Sequence, residues 1–324
     1  MVIRIGFIGS GVVTQKAHVP AVIKNPRFRI TAFCRRDTNK LKDLQSQFPH
    51  AKLFSDAKAL INSGEIDCAL IAADVDVHLS LAQMALGKEL FVLLEKPVDS
   101  SSENIRKFIE KNHDKVDKIM VAFNKRFYPG IVKLDELRKS GELSDLIGGS
   151  LTFLTQHGRK PGKAGILQNM IHYCDLINWI FGTPVEVKPI FSKALNDDQK
   201  SETIASSILT EKGCAVNFFY SSSSSWKLPV HERIQVLDSK NSSFYVENAD
   251  KAVFTKVAKD EVKNMIFEES NSIFFRNSSF GYEAQISAFA DLIEGKASKP
   301  SPSMHDALEA HLLFEKIFEH EDYS

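Results

Sequence analysis

Two glycines directly follow the first strand-like run of the chain. Gly9-Ser10-Gly11 follows Val2–Ile8 and opens a helical pattern. In this position the first glycine permits a tight turn, and the second lets backbone N–H groups approach a pyrophosphate at the positive end of the helix. The third position of the G-x-G-x-x-G pattern is Thr14 instead of glycine. The spacing predicts a dinucleotide-binding loop, with a plain glycine turn of an α/β protein as the alternative.

The second strand-like run ends in two arginines, Arg35-Arg36. A protein that binds NAD usually carries a carboxylate at this point, where it accepts hydrogen bonds from the adenosine ribose. Guanidinium groups pair instead with a 2′-phosphate, so these residues favour NADP(H) over NAD(H). Two alternatives stay open, because arginines at a strand end are often only solvated and Asp37 is placed to reach the ribose itself.

Two further stretches of the chain carry side chains that can exchange or hold a proton. Lys96 precedes Pro97, which disfavours helix at the preceding residue, so the lysine is expected in extended backbone at a strand end. Gln168, His172 and Asp175 fall at i, i+4 and i+7 and share one helix face. Histidine changes charge near neutrality and suits proton exchange with a substrate, whereas glutamine can only hold a hydroxyl. A surface lysine and a structural histidine are the alternatives.

Positive charge clusters shortly before the His172 helix, at Arg159-Lys160 and Lys163. If these side chains face a substrate cleft, they favour a carboxylate, a phosphate or a nucleotide diphosphate on the substrate. If they face water, they form a solvated loop. The sequence leaves both interpretations open.

Composition excludes several classes of protein. The chain has 324 residues, of which 43% are hydrophobic, so about two domains can each build a core. Its 41 basic and 41 acidic residues give no global charge for binding nucleic acid or an anionic membrane. The four cysteines are widely spaced, which argues against a disulfide scaffold and a zinc site and fits a reducing cytoplasm. No signal peptide, transmembrane segment or bound metal is expected.

The order of predicted elements indicates two folds in series. Up to about residue 123, strands alternate with helices, which predicts an α/β Rossmann domain with a doubly wound parallel sheet. Residues 124–324 contain consecutive strands joined by polar turns, which predicts an α+β domain with an open, mainly antiparallel sheet. The predicted strands are Val2–Ile8, Phe28–Cys34, Cys68–Ala72, Phe91–Leu94, Ile119–Ala122, Ser150–Gln156, Val185–Ile190, Thr203–Leu209, Ala215–Tyr220, Arg233–Leu237, Ser243–Val246 and Ala252–Val257.

Several of these motifs, taken together, resemble the glucose-fructose oxidoreductase, inositol dehydrogenase and MocA (Gfo/Idh/MocA) family over nearly the whole chain. The motifs are Gly9-Ser10-Gly11, His18-Val19-Pro20-Ala21, Glu95-Lys96-Pro97, Asn124-Lys125-Arg126-Phe127, the His172 helix and Gly281-Tyr282-Glu283. The resemblance implies a dinucleotide-dependent oxidoreductase that acts on a small carbohydrate-like substrate. It also implies a homodimer or homotetramer assembled through the open sheet. Composition adds the expectation of a cytoplasmic protein without nucleic-acid or membrane partners.

The resemblance also implies roles for individual residues. Lys96 is expected beside the nicotinamide and the substrate, and His172 matches the family's usual proton donor or acceptor, so the predicted catalytic residues are Lys96, His172 and Gln168. The predicted cofactor-binding residues are Gly9, Ser10, Gly11, Val12, Val13, Arg35, Arg36, Ala73, His78, Glu95 and Lys96. The predicted substrate-binding residues are Asn124, Arg126, Arg159, Lys163 and Asp175. His18 and His78 are expected to shape the cofactor cleft rather than to act chemically.

Two family patterns are broken in this chain. Gln168 stands where the family has an aspartate four residues before the histidine, and Ala73-Asp74 replaces a Thr-Pro pair after the third predicted strand of the first domain. Acid–base work expected of the aspartate must then fall to His172 and Lys96. The alternative is a non-catalytic dinucleotide-binding sensor or regulator of the same fold.

Overall fold

The structure, a computed structural model, describes residues 2–155, 162–193, 202–222, 228, 230–248, 251–258, 261–268 and 280–319. The chain forms two compact units. The first comprises Met1–Asn124 and Gly281–Leu308, and the second comprises Lys125–Phe280 and Glu309–Ser324.

The first unit is built on a six-stranded parallel sheet in the order β3-β2-β1-β4-β5-β6. The short aliphatic runs become its central strands because both faces of a doubly wound sheet are covered by helices. Ile5, Phe7, Leu70 and Leu93 are accordingly fully buried. The strands are β1 Ile3–Ile8, β2 Phe28–Cys34, β3 Lys52–Phe54, β4 Cys68–Ile71, β5 Phe91–Leu94 and β6 Ile119–Val121.

Helices connect the strands of this sheet in the alternating pattern that the sequence predicts. The helix after the glycine loop begins at Val12 and contains a π-helical turn over Thr14–His18 before it continues as α1. The α-helices are α1 Val19–Lys24, α2 Thr38–Gln47, α3 Ala57–Asn62, α4 His78–Leu86 and α5 Ser102–Lys111. Short 3₁₀ turns cover Val75–Val77 and Val116–Lys118.

A late segment of the chain returns to the first unit. The sequence places the second domain at 124–324, but 281–308 lies in the first unit and carries α8, Tyr282–Ile293. Phe289 of α8 stacks on Phe28 of β2 with ring centroids 6.3 Å apart, and Arg27 donates to Asp291 at 2.5 Å. This apolar and ionic contact joins residues more than 250 positions apart, which sequence patterning cannot show.

The second unit is built on an eight-stranded sheet in the order β14-β13-β12-β11-β7-β10-β9-β8. All neighbouring pairs are antiparallel except β7 and β10. The strands are β7 Leu146–Leu154, β8 Pro184–Lys193, β9 Glu202–Thr210, β10 Ala215–Ser221, β11 Glu232–Asp238, β12 Ser242–Glu247, β13 Lys251–Ala258 and β14 Glu261–Glu268. The predicted fold class is thereby confirmed.

The core of the second unit lies between this sheet and α7, Lys163–Phe181. Alternate residues of β10 are buried, as expected for a strand covered on one face. Tyr173 of α7 stacks between Phe153 and Phe218 of the sheet, with ring centroids 4.7 and 5.7 Å apart. The remaining helices are α6 Pro129–Lys139 and α9 Met304–Ile317, of which α9 runs across the boundary at Leu308.

Two strands are absent from the sequence prediction, and both lie at sheet edges. β3 has three residues, too few for a recognisable alternation. β14 exposes Val262, Met265 and Ile266, so its apolar residues do not follow the period of two that burial imposes.

Candidate functional site

The glycine loop occupies the carboxyl end of β1, between the ends of β2 and β4. Gly9 has φ +94°, and a Cβ atom there would lie 2.2 Å from the backbone oxygen of Ala72. The N–H of Gly9 donates to the carbonyl of Cys34 at 3.0 Å. Only glycine fits this turn, because the backbone is left-handed and the neighbouring chain is close.

The start of the following helix meets the requirements of a dinucleotide phosphate site. A Cβ atom on Gly11 would have no neighbour within 4 Å, and Val12 and Val13 are about half exposed, at 49% and 46%. The first N–H groups of a helix lack partners in their own helix and attract anions. Thr14, in the place of the third glycine, is buried. The loop therefore fits a pyrophosphate even though the third glycine is missing.

The two arginines that follow β2 have different surroundings. The Nη1 group of Arg35 donates to the backbone oxygen of Ser10 and to the Ser10 hydroxyl, the latter at 3.0 Å. Arg36 is 87% exposed and donates to Asp74 at 2.9 Å. Arg35 thus braces the glycine loop, and Arg36 is the more accessible of the two guanidinium groups.

Lys96 follows the carboxyl end of β5, on the same edge of the sheet as the glycine loop. β5 pairs with β4, and β4 pairs with β1, so the segments after these strands are neighbours. Ligands of doubly wound sheets bind at this edge. The backbone N–H of Lys96 donates to Oε2 of Glu95 at 3.0 Å.

Glu95 pairs with a buried histidine of the π-helical turn. Its Oε1 atom lies 2.6 Å from Nε2 of His18, whose side chain is fully buried. Burial alone would raise the pKa of Glu95, but the hydrogen bond with His18 and the nearby Lys96 ammonium group lower it below its ordinary value. Glu95 is therefore an anion at neutral pH.

His78 is the first residue of α4, and its imidazole contacts both the segment after β4 and the segment after β5. Its Nδ1 atom lies 3.0 Å from the carbonyl oxygen of Pro97, and its Nε2 atom lies 3.1 Å from that of Ala73. Burial is the main cause of a lowered His78 pKa, which the two carbonyls and the nearby carboxylates offset only in part. A neutral imidazole has one N–H and donates to only one of these carbonyls at a time, and both contacts place His78 beside the segments after β4 and β5.

In the second unit, α7 carries Gln168, His172 and Asp175 on one face, as their spacing predicts. His172 is 8% exposed and Asp175 is 1% exposed. The carboxylate of Asp175 is engaged in an ion pair inside the unit.

Asp175 and Arg126 form a buried bidentate ion pair. Nε of Arg126 donates to one carboxylate oxygen at 2.8 Å, and Nη2 donates to the other at 2.6 Å. The Arg126 guanidinium also lies 5.2 Å from the ring centroid of Trp179, one helical turn further along α7. These contacts fasten the segment after β6 to the helix that carries His172.

A second buried ion pair was not predicted from the sequence. The ammonium group of Lys125 lies 2.8 Å from both oxygens of Glu232, and rings of Tyr128, Phe153 and Tyr173 surround it at 4.7 to 5.3 Å. The partners are 107 residues apart, and nothing in their local sequence signals the pairing. Charges so deeply buried require a partner.

The remaining predicted substrate-binding residues are dispersed. Asn124 is 6% exposed and lies in the first unit. Lys163 is exposed at the start of α7, where its ammonium group lies 5.3 Å from the ring centroid of Phe318. Arg159 and Lys160 lie outside the described residues.

The described ranges contain neither a cluster of metal-ligating side chains nor a helix suited to cross a membrane. No group of three or more His, Cys, Asp or Glu side chains there is arranged to hold a metal ion. None of the helices in that part of the chain combines the length and apolar character needed to cross a bilayer.

Comparison with known proteins identifies relatives of the chain. Residues 3–123 match the GFO_IDH_MocA family model, described as "Oxidoreductase family, NAD-binding Rossmann fold". The inositol 2-dehydrogenase of Rhizobium meliloti (strain 1021) is 24% identical over 328 residues, which cover 97% of this chain and 95% of that protein.

Solved structures share the fold over both units. A dehydrogenase from Chromobacterium violaceum gives a TM-score of 0.86 at 16% identity and covers 99% of this chain and 95% of its own. A myo-inositol dehydrogenase from Corynebacterium glutamicum ATCC 13032 gives 0.82 at 20% identity and covers 98% and 96%. At these identities the structural matches establish the fold alone.

Proposed function

We propose that this chain, whose residues 3–123 make it a member of the Gfo/Idh/MocA oxidoreductase family, transfers a hydride between a nicotinamide dinucleotide and a carbinol or carbonyl carbon. The substrate we propose is a sugar, a sugar acid or a nucleotide-linked sugar. The similarity to an inositol 2-dehydrogenase over 97% of the chain supports a polyhydroxylated substrate.

One observation carries the proposal: the glycine loop and Lys96 occupy the same edge of the parallel sheet. The loop after β1 fits a pyrophosphate, and the segment after β5 presents a lysine two strands away. A bound nicotinamide supplies the hydride acceptor or donor. An ammonium group at this edge is suited to polarise a substrate oxygen or to take up its proton.

The proposal assigns the remaining proton transfer to His172. It gives Gln168 the role of holding a hydroxyl group of the substrate. Imidazole changes charge near neutrality, whereas an amide does not titrate. The motif resemblance supports these assignments. Within the second unit, the Arg126–Asp175 pair supports them by fastening α7.

Preference for NADP(H) over NAD(H) is part of the proposal. Arg36 supports it best because its guanidinium is largely exposed. Arg35 already donates to Ser10, so its contribution to a 2′-phosphate requires either a shared or an exchanged hydrogen bond. The pairing of Arg36 with Asp74 is a surface ion pair of little cost to break.

Calorimetric titration of both cofactors tests this preference. A charge-assisted hydrogen bond contributes about 1.5–3 kcal/mol, so Arg36→Ala should weaken NADP(H) roughly ten- to over a hundredfold and NAD(H) much less. Arg35→Asp adds a ribose acceptor and repels the phosphate, so selectivity should move toward NAD(H). Arg29→Ala, an exposed position on β2, is the matched control. Equal affinity of the unmodified protein for both cofactors would show that the arginines are only surface charge.

A second candidate function is a dinucleotide-binding sensor without turnover. Gln168 and Ala73-Asp74, which break two family patterns, favour it. Both functions require the same glycine loop, so cofactor binding does not separate them. Turnover does: reduction or oxidation of the cofactor in a panel of sugars, cyclitols and nucleotide-linked sugars supports the enzyme, and binding without turnover supports the sensor.

We also propose a homodimer or homotetramer that assembles through the open face of the eight-stranded sheet. Exposed apolar side chains on its strands, including Ile190 at 72% and Phe219 at 39%, support burial against a second copy. Solution scattering at micromolar concentration should show an oligomer, and a particle of 36.3 kDa would contradict it.

The proposed cytoplasmic location agrees with four free cysteines, which thiol titration of freshly released, denatured protein should count.

A further inference from the structure

The segment Glu95-Lys96-Pro97 is held by two buried histidines, one on each side of the lysine. His18, at the end of the π-helical turn, contacts the Glu95 carboxylate at 2.6 Å. His78 contacts the Pro97 carbonyl at 3.0 Å. The His18 side chain is 0% exposed and His78 is 2% exposed. Neither imidazole is placed to touch a ligand from bulk solvent, so His78 is assigned here to holding the lysine segment and not to the cofactor contact that the resemblance implies.

The contact on the Glu95 side leads to the lysine itself. Glu95 is an anion and can only accept hydrogen bonds, so Nε2 of His18 must donate to it. The second carboxylate oxygen accepts the N–H of Lys96 at 3.0 Å. Rotation of the carboxylate would break both hydrogen bonds together. His18 therefore fixes the orientation of the group that holds the Lys96 peptide.

His18 is itself held by its surroundings. It lies at the end of the turn that follows the glycine loop, and the ring of Tyr282 of α8 meets it edge-on at 5.1 Å between centroids. π-Helical turns inside α-helices occur frequently at functional sites. The arrangement connects the helix that follows the phosphate loop to the lysine at the end of β5, two strands away.

We propose that His18 and His78 are positioning residues for Lys96, acting through Glu95 and through the Pro97 carbonyl. This inference rests on the proposed function in one respect, since it matters for catalysis only if Lys96 takes part in turnover. It also makes a structural claim about the Lys96 peptide, which can be tested without substrate or cofactor.

The variants separate the hydrogen bond from the bulk of the ring. His18→Leu removes the donor, whereas His18→Gln keeps an N–H donor that can reach Glu95. Glu95→Gln leaves one side-chain oxygen to serve both His18 and Lys96. His113→Gln, at an exposed histidine of the same unit, is the matched control.

The direct readout is the amide of Lys96 in the full-length protein. Labelling glutamate with ¹³C at the carbonyl and lysine with ¹⁵N selects Glu-Lys peptide bonds, which occur at Lys96, Lys111, Lys212 and Lys316. Substitution of each lysine by arginine assigns its signal. The three other lysines then report on the integrity of the fold in the same sample.

We expect His18→Leu to shift the Lys96 amide signal and to accelerate its hydrogen exchange about tenfold, with the other three signals unchanged. His18→Gln should restore exchange to within about threefold of the unmodified protein. A Lys96 amide unaffected by His18→Leu would overturn the proposal. Equal effects of leucine and glutamine would also overturn it, because ring packing would then be the cause. If His18→Leu does not fold, Glu95→Gln must produce the same selective change at Lys96, measured with glutamine instead of glutamate labelled at the carbonyl because a glutamine then precedes Lys96.

The kinetic readout follows once a substrate is known. Misplacement of a catalytic group by about 1 Å can cost about 10²-fold, so His18→Leu and His78→Leu should lower kcat by about 10- to 100-fold. The Kd of the dinucleotide and the KM of the substrate should change less than about threefold. A rise in KM with unchanged kcat would contradict positioning of Lys96. Absence of turnover in the unmodified protein would refute the proposed function, while the amide measurement would still decide the inference.

Discussion

Replacing His172 by asparagine is expected to lower kcat about 10²- to 10⁴-fold while the Kd of the dinucleotide stays unchanged. This range is what removal of a general acid or base costs, because asparagine keeps a polar side chain but cannot exchange a proton near neutral pH. Steady-state kinetics with an established substrate measure the loss, and calorimetric titration of the cofactor verifies that its site is intact.

Two further variants define the control for this experiment. His305→Asn replaces an exposed histidine of α9 and should leave kcat unchanged. Lys96→Met should reproduce the loss seen with His172→Asn if both residues handle the same proton transfer. Unchanged turnover in His172→Asn would remove the histidine from the mechanism and leave Lys96 as the only titratable group assigned to it.

Replacing Asp175 by asparagine is expected to lower the free energy of unfolding by about 3–5 kcal/mol. Asparagine nearly matches aspartate in size but leaves the Arg126 guanidinium buried without its counter-charge, and breaking a buried pair from one side costs this amount. Urea denaturation followed by circular dichroism measures the difference. The loss corresponds to a factor of roughly 10² to several times 10³ in the folding equilibrium.

The comparison variant is Glu136→Gln, which removes an exposed ion pair with Lys133 in the same unit. Surface pairs of this kind contribute at most about 1 kcal/mol, so its unfolding midpoint should move little. The experiment also distinguishes two roles for Asp175. A stability like that of the unmodified protein, together with a raised substrate KM, would mean that Asp175 serves the substrate and not the fold.

Local sequence was sufficient to predict the features that depend only on residues close together along the chain. The glycine loop could be predicted because the left-handed turn at Gly9 tolerates no side chain. The extended backbone of Lys96 could be predicted because proline restricts the residue before it. Central strands of the parallel sheet are readable because burial on both faces requires continuous apolar runs. The shared helix face of Gln168, His172 and Asp175 follows from the helical period alone.

Contacts between distant segments were decided only by tertiary packing. His18 meets Glu95 across 77 residues, and Arg126 meets Asp175 across 49. Arg35 donates a hydrogen bond to Ser10, and its position at a strand end does not predict this contact. Such pairs depend on which strands become neighbours and how the side chains between them fill space, so they carry no periodic signal. The sequence alone thus determined which side chains could do chemistry. The packing of the sheet edge decided which residues hold those side chains in place, because a buried polar group must form its hydrogen bonds with whatever partner the fold places beside it.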